Sequence, residues 1–511
     1  MLELLLGGIL RILQALLAAS PTLLIGLFVA GILHRLLGHR RTRLLFGAGT
    51  WRELPQAWLI GMLLPVCSLG VLPVARRLRL AGLAGGTTLA FAMTAPLFNP
   101  LSLLYGLTLS EPFVIFAFAL GSLAVVTVVG GLWDKIFSQT ELAENEPPLM
   151  PHGWQRLAAI LLAILREAAG PSLKFIFVGL LGVALLSFAL KPGALQTQVE
   201  HDNPRAPLNM TMVAIPAYVT PLTAMWQLGS MFQHGNSIGA GFVLLTLGAG
   251  LNLGLILWMC VNYGWRRGLV FMVILISVVW CIAYSLEKPL YPEEVDPAGH
   301  SHAFDMYCSP FHQGNPQVLQ KFSSSMAEAL RSPDAPVAGL YGLLVILGGI
   351  LRWVDPREIW ESKLSELQPV KQQKNRFDVV LPPAALGGVA LLGLVLFSVF
   401  GCYSYYPPVQ ACFQEMKNYE LELFSAAVAM DLEQLEYHKE HLDDWTRRLQ
   451  VGAYLRTGNV TDFQRYKAMV LRNKLELLEH AVAEGDYQEA KQYAQDVTRA
   501  YARLRKAFGL Q

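Results

Sequence analysis

The stretch Leu64-Pro65-Val66-Cys67-Ser68-Leu69-Gly70-Val71-Leu72-Pro73-Val74-Ala75 decides the fold. It sets a thiol and a hydroxyl between prolines, inside an apolar segment that runs over 53–75. Proline removes a backbone donor and breaks a helix. At membrane depth the freed backbone groups are tolerated only where protein or a water-filled cavity receives them. A second apolar segment, 210–230, is interrupted in the same way by Pro216-Ala217-Tyr218-Val219-Thr220-Pro221.

The surroundings of both stretches read as membrane. Of 511 residues, 53% are hydrophobic and 15% charged, against roughly 25% charged in a soluble domain. Phe113–Trp133, Phe242–Val261, Gly268–Leu286 and Val380–Cys402 carry no charge, and such runs match the roughly 20 residues a helix needs to cross a bilayer. A soluble enzyme and a disordered scaffold are excluded, as is an outer-membrane barrel, whose strands alternate over about 10 residues. A net charge of +2 points to no nucleic-acid partner. The first residues, Met-Leu-Glu-Leu-Leu-Leu, lack a cationic region and do not read as a cleaved signal peptide.

Loop charge gives an orientation. Arg35, Arg40, Arg41, Arg43 and Arg52, then Arg76, Arg77 and Arg79, Arg156 and Arg166, Arg266 and Arg267, and finally Arg352, Arg357, Lys363, Lys371, Lys374 and Arg376 form basic clusters. Segments 191–210, 288–335 and 402–511 are balanced or acidic. Basic loops stay cytoplasmic. Spans at 18–37, 85–108, 112–133, 171–190, 240–262, 268–287, 336–354 and 379–401 satisfy every loop. They give eight crossings, with the N-terminus and the C-terminal domain extracytoplasmic in a bacterial inner membrane. The two proline-broken segments then enter and leave on one side as re-entrant hairpins. Two kinked spans are the alternative, at the cost of exceptions to the charge pattern.

The halves correspond. Pro21 pairs with Pro171, Pro65 with Pro216, Gly82 with Gly235 and Asn99 with Asn252, in order and with little drift. Three crossings per copy is an odd number, so the second copy is inverted. Paired broken segments in inverted repeats place a transporter's substrate site between them, near the midplane. The expected fold is all-α: a polytopic membrane protein with two inverted repeats containing broken or re-entrant hairpins, plus a soluble helical bundle. The divisions are 1–150 (first permease repeat), 151–290 (second, inverted), 291–335 (extracytoplasmic His-rich loop), 336–401 (two additional spans) and 402–511 (extracytoplasmic helical domain).

From Leu64 to Ala75, through Gly82 and Thr87 to Ala95-Pro96-Leu97-Phe98-Asn99-Pro100, the chain resembles the bacterial predicted-permease family that includes the methylarsenite efflux permeases. The family hallmark is similar to Pro-x-Cys-Ser-Cys-Gly followed by an apolar segment closing on Asn-Pro, and the resemblance covers about 18–290. It implies a permease. Here Leu69 stands where the family has its second cysteine, and Tyr218-Val219 stand where a Cys-Ser would fall in the second copy. A soft ion such as As(III) prefers several thiolates, so the resemblance does not carry an arsenical substrate with it.

The candidate substrate-binding residues are Cys67 and Ser68 at the first break, Tyr218 and Thr220 at the second, Asn99 and Asn252 on the following spans, and Thr94 one turn before Asn99. An amide in hydrocarbon needs partners. Each asparagine either meets substrate or caps broken-helix backbone. Cys67 is either a ligand or a small buried apolar residue. No acidic residue falls at membrane depth near these elements, so proton coupling has no evident carrier. No phosphate-binding Gly-x-x-x-x-Gly-Lys-Ser/Thr loop is present, and no catalytic motif marks an enzyme.

Two further regions carry chemistry. His300, His302, Asp305, Cys308 and His312 fall within 13 positions, as a transition-metal site would require. They equally fit a polar lid, and no other cofactor is implied. From Cys402 to Gln511, 14 Lys+Arg and 16 Asp+Glu mark a soluble tail with helices near 413–432, 434–456, 459–484 and 487–508. There His438 and His441 read as a solvated helix face, and Cys402 and Cys412 bracket a segment that a disulfide could close. The functional reading is a permease moving a small solute or soft ion or metalloid species, outward and without ATP. The rival is a membrane-anchored sensor or assembly protein acting through its C-terminal helices. Expected partners are the bilayer, the solute, and either an extracytoplasmic protein or a second copy of the chain.

Overall fold

The computed structural model describes residues 2–109, 112–137, 154–191, 193–291, 302–311, 317–366 and 383–510. Among these residues the regular structure is helical, apart from one isolated bridge between Glu200 and Asn236. The chain divides into two compact units. One holds Met1–Ser102 and Phe113–Val395, the other Leu103–Pro112 and Leu396–Gln511.

Helix α1 (Leu2–Ile32) runs straight through Pro21 into a π-helical turn, Leu33–Leu37, and then α2 (Gly38–Leu45). The expected span at 18–37 is therefore part of a longer helix. Its continuity has a local cause. Pro21 has no N–H for the Leu17 carbonyl, and the Ser20 hydroxyl donates to that carbonyl instead, at 2.8 Å.

The first broken segment is α3 (Glu53–Leu63) and α4 (Val71–Leu80). It is followed by α5 (Gly85–Thr94), α6 (Pro100–Leu109) and α7 (Pro112–Ile136). A bent pair comes next, α8 (Trp154–Ala168) and α9 (Leu173–Ala189), then the second broken segment, α10 (Ala206–Ala214) and α11 (Pro221–Gln233). Beyond these lie α12 (Ile238–Val243), extended by a π turn to Ala249, α13 (Leu253–Tyr263) and α14 (Trp265–Leu290).

The spans expected at 85–108 and 240–262 are not continuous. Each divides in the middle, at 95–99 and at 250–252, and α12 meets α13 at 59°. Pro100 starts α6 because its missing N–H is free of cost at a helix start. In the second case Gly250 and an asparagine cap do the same without proline. Four described helices are long and apolar enough to cross a membrane, namely Leu2–Leu45, α7, α14 and Ala335–Val354. The number rises to six if α8–α9 and α12–α13 each count as one span.

Contacts recur along with the elements. The Gly86 N–H donates to Asp134 Oδ1 at 2.8 Å, and the Gly239 N–H, 153 positions later, donates to Glu287 Oε2 at 2.6 Å. A Cβ on Gly86 would strike the Gly130 carbonyl, and one on Gly239 the Ala283 carbonyl, again 153 positions on. The Asn99 side chain accepts from the Ser102 N–H and the Asn252 side chain from the Leu255 N–H, each at 2.8 Å.

After the 3-10 turn His302–Tyr307, α15 (Val318–Ala329) leads to α16 (Ala335–Val354) and α17 (Ile359–Glu366). A buried ion network holds this segment to the earlier helices. Arg166 on α8 pairs with Asp355 at 2.9 Å and with Glu361 at 2.8 Å, and Glu361 also pairs with Arg35.

α18 (Pro383–Tyr405) enters the second unit. There α19 (Val409–Ala429), α20 (Leu432–Thr457), α21 (Asp462–Glu484) and α22 (Tyr487–Ala507) share one core, in which Leu435, Leu442 and Leu449 recur every seventh residue along α20. Asp431, Thr461 and Asp486 cap the starts of α20, α21 and α22. Cys402 and Cys412 are both free thiols, so no disulfide closes that segment. At the heart of this unit Asp443 accepts from Arg447 and Arg472, each at 2.7 Å, and Arg447 reaches the Tyr105 hydroxyl at 3.3 Å. Burial alone would push the Asp443 carboxyl up, but the two guanidinium groups outweigh it and hold the carboxyl well below the usual carboxylate range.

Two expectations follow. A Cβ on Gly26 of α1 would lie 2.0 Å from the Gly70 carbonyl oxygen, a backbone atom that cannot step aside. Gly26→Ala should therefore destabilise the detergent-solubilised protein by at least the ~1–3 kcal/mol of an overpacked core and lower its thermal midpoint. An unchanged midpoint contradicts the contact. Asp443→Asn should cost about 3–5 kcal/mol, because it leaves two buried arginines without their carboxylate. The folded-state pKa of Asp443 lies below its unfolded value of about 3.9. Its stabilisation is therefore present above about pH 4 and lost as the pH falls through the folded value. Thermal denaturation of full-length wild type and variant at pH 7 and pH 3 should show the gap between them narrowing at the lower pH.

Candidate functional site

The two helix breaks approach each other through side chains. In the first, Cys67 organises the start of α4: its carbonyl accepts from Val71 N–H at 2.9 Å, and its Sγ accepts from Gly70 N–H at 3.3 Å. The thiol is fully buried. In the second, Tyr218 sends its hydroxyl between the Cys67 thiol and the Thr22 hydroxyl. It lies near both without closing a hydrogen bond of good geometry. The Thr22 hydroxyl hydrogen is committed to the Ala19 carbonyl at 2.8 Å, which leaves its oxygen free to accept.

Backbone contact brings the breaks this close. Gly70 lies against the Thr22 carbonyl and Gly26 against the Gly70 carbonyl, which locks the first break on α1. A Cβ on Gly182 of α9 would lie 2.3 Å from the Pro216 carbonyl, so the second break is locked on α9 in the same manner. Gly179, one turn earlier on α9, touches both the Leu69 side chain and Asn252 Oδ1. The breaks of the divided spans also meet, since a Cβ on Gly250 would lie 2.7 Å from Leu97 and 3.0 Å from the Met93 carbonyl.

Several polar atoms here are buried without a protein partner: the Ser68 hydroxyl, the Tyr218 hydroxyl and the Asn252 amide nitrogen. An unsatisfied buried polar group costs about 1–3 kcal/mol. Three such groups lie at or beside the two breaks, each left to find a partner other than the protein.

The remaining sequence candidates have other work. Asn99 and Asn252 both cap the second half of a divided span, and in Asn252 the oxygen caps while the amide nitrogen stays free. Thr94 donates to its own helix at the Ala90 carbonyl, 2.6 Å away, and packs on Gly61. Thr220 caps α11, accepting from Thr223 N–H at 3.2 Å. The described contacts link Cys67 with Tyr218, and bring Asn252 to the same side of α9 as Leu69. They do not link Thr94, Asn99 or Thr220 to Cys67. Thr22 was not among the candidates, although it follows Pro21 in the repeated motif.

In the loop, His300 and His312 lie outside the described residues, and of His302 only the backbone is described. The carbonyls of Asp305 and Cys308 each accept from Arg11 at 2.9 Å. Burial, with Asp305 nearby, pushes the Cys308 thiol up to about 11. Among the described residues no group of three or more His, Cys, Asp or Glu could hold a metal ion.

Among the described residues are helices of membrane-crossing length and helix breaks with buried polar atoms, features of a polytopic membrane protein. Residues 6–287 match the family described as predicted permease, and the chain belongs to that family. It is similar to the UPF0718 protein YcgR of Bacillus subtilis (strain 168), with 25% identity over 277 residues, covering 53% of this chain and 93% of the relative. No solved structure matches.

The divided role of Asn252 can be tested. Asn252→Ala should lose about 1 kcal/mol of stability, the value of a helix cap, and Asn252→Ser should recover most of it because serine caps equally well. Solute flux should fall in both variants if the free amide contacts solute. Full flux in Asn252→Ser would leave Asn252 as a cap and nothing more.

Proposed function

We propose that this chain is a secondary permease of the bacterial inner membrane that moves a small uncharged or soft solute outward through two inverted repeats. The observation that carries the reading is the meeting of Cys67 from the first broken segment with Tyr218 from the second, among polar atoms that have no protein partner. The contacts that recur 153 positions apart, Gly86–Asp134 with Gly239–Glu287 and Asn99 with Asn252, support a duplicated architecture. The odd number of crossings per copy makes it inverted. A site shared by two such halves opens alternately when one rocks against the other. It binds without ATP, and nothing in this reading calls for catalysis. The divisions at 150, 290, 335 and 401 follow from it, as do an extracytoplasmic N-terminus and C-terminal domain. The loop with His300, His302, Asp305, Cys308 and His312 would serve as an extracytoplasmic lid, or as a metal capture point if its imidazoles converge.

Two measurements test this. Proteoliposomes carrying the full chain should show saturable flux of a thiophilic solute such as arsenous acid, and Cys67→Ala should reduce it at least tenfold while leaving a non-thiophilic solute such as glycerol nearly unchanged. Equal effects on both leave Cys67 as packing. Absence of any flux favours the sensor or assembly reading. Reporter fusions at Glu366 and at Leu510 should report opposite sides of the membrane, with Leu510 outside; both on one side would contradict the inversion.

A further inference from the structure

The family match ends at Glu287, so α16 is an addition to the matched part of the chain. Of this helix only Tyr341, Gly348 and Leu351 are buried, and the remaining residues are half-buried or exposed. Gly348 is there for close approach: a Cβ would lie 2.0 Å from the Leu165 carbonyl of α8. Leu351 is apolar packing. Tyr341 is the polar residue that α16 buries, only 6% exposed, and its hydroxyl has no protein partner. The start of α16 is fixed on α1, where the Ser20 hydroxyl reaches the Asp334 carbonyl at 3.4 Å, and its end is fixed by the Arg166–Asp355 pair. So held, α16 packs along α1, whose Thr22 and Gly26 meet Gly70 at the Cys67 break, and Tyr341 lies within electrostatic range of Cys67. A phenylalanine would fill the same space without an unmet hydroxyl.

We propose that Tyr341 is a third wall of the Cys67 site and donates a hydrogen bond to an uncharged solute bearing oxygen acceptors. This rests on the reading of that site as the substrate site. Four groups at or beside the two breaks are more than nine-tenths buried and unsatisfied: Ser68 and Tyr218 within them, Asn252 across Gly179 from Leu69, and Tyr341 on α16. Three hydroxyls and an amide nitrogen can all donate, and none carries charge. A charged solute would enter with no counter-charge among them, at a heavy desolvation cost. A solute with several acceptor oxygens would satisfy them together. The wall contributed by α16 also makes this site differ from that of any relative that stops at the matched region.

The test uses the full chain in membranes, with Cys67 as the sole cysteine. Tyr341→Cys and, separately, Tyr218→Cys are added and treated with a short bifunctional methanethiosulfonate. Both pairs should cross-link. If the Tyr218→Cys pair cross-links and the Tyr341→Cys pair does not, the third wall is refuted and the substrate site stands. If neither does, the site reading falls with it. The hydroxyl is tested by protection of Cys67 from N-ethylmaleimide by arsenous acid, an uncharged solute with three oxygens. Tyr341→Phe keeps the aromatic body and should weaken protection about fivefold to tenfold, the loss of one hydrogen bond. Unchanged protection in Tyr341→Phe, or no protection in the parent protein, overturns the proposed bond.

Discussion

In hydrocarbon every backbone N–H and C=O must be answered from within the protein, and a broken helix leaves several unanswered. The breaks at 64–70, 95–99, 215–220 and 250–252 are places where that debt is settled. Cys67 accepts with its sulfur, Thr220 with its hydroxyl, and Asn99 and Asn252 with their amide oxygens, while in unbroken α1 the Ser20 hydroxyl donates to the carbonyl that Pro21 leaves unmet. Glycine allows the neighbouring backbone to come close enough to help at Gly26, Gly70, Gly182 and Gly250. Once those positions are fixed, the breaks converge, and the site is what is left between them.

The interruptions were legible where proline wrote them. Pro65 and Pro216 announce both broken segments, and the Asn99–Asn252 pairing reappears as two like helix caps. Of the divided spans, 85–108 carries its break in Pro96 and Pro100, whereas 240–262 does not show its own. The stretch 240–262 contains no proline, and its break depends on Gly250 meeting Leu97 and the Met93 carbonyl from the other half. That is a tertiary fact with only a weak local trace. Capping and binding roles of asparagine also look alike in sequence, because both need a polar side chain in an apolar run. Tyr341 could not be found at all by motif, since its meaning comes from being the polar residue buried on a helix whose other buried positions are glycine and leucine.

The added segment after Glu287 is more than an appendage. Asp355 and Glu361 supply carboxylates to Arg166 and Arg35, both buried and both within the family-matched residues. Without that segment two guanidinium groups would be buried with their charge uncompensated, a state proteins avoid. The segment after Glu287 and the family-matched part are therefore coupled electrostatically. In the second unit, the Asp443–Arg447–Arg472 cluster plays the comparable part, joining α20, α21 and Tyr105 around one buried carboxylate.

The account rests on one claim: that the junction of the two broken segments is a solute-accessible site and not a sealed contact. The direct measurement is the rate at which membrane-impermeant methanethiosulfonate modifies Cys67, as sole cysteine, from each side of oriented vesicles. The account predicts modification from both sides, with a saturating transported solute slowing both rates. A Cys67 that stays unmodified from either side, in a protein that is folded and reactive after denaturation, would contradict it.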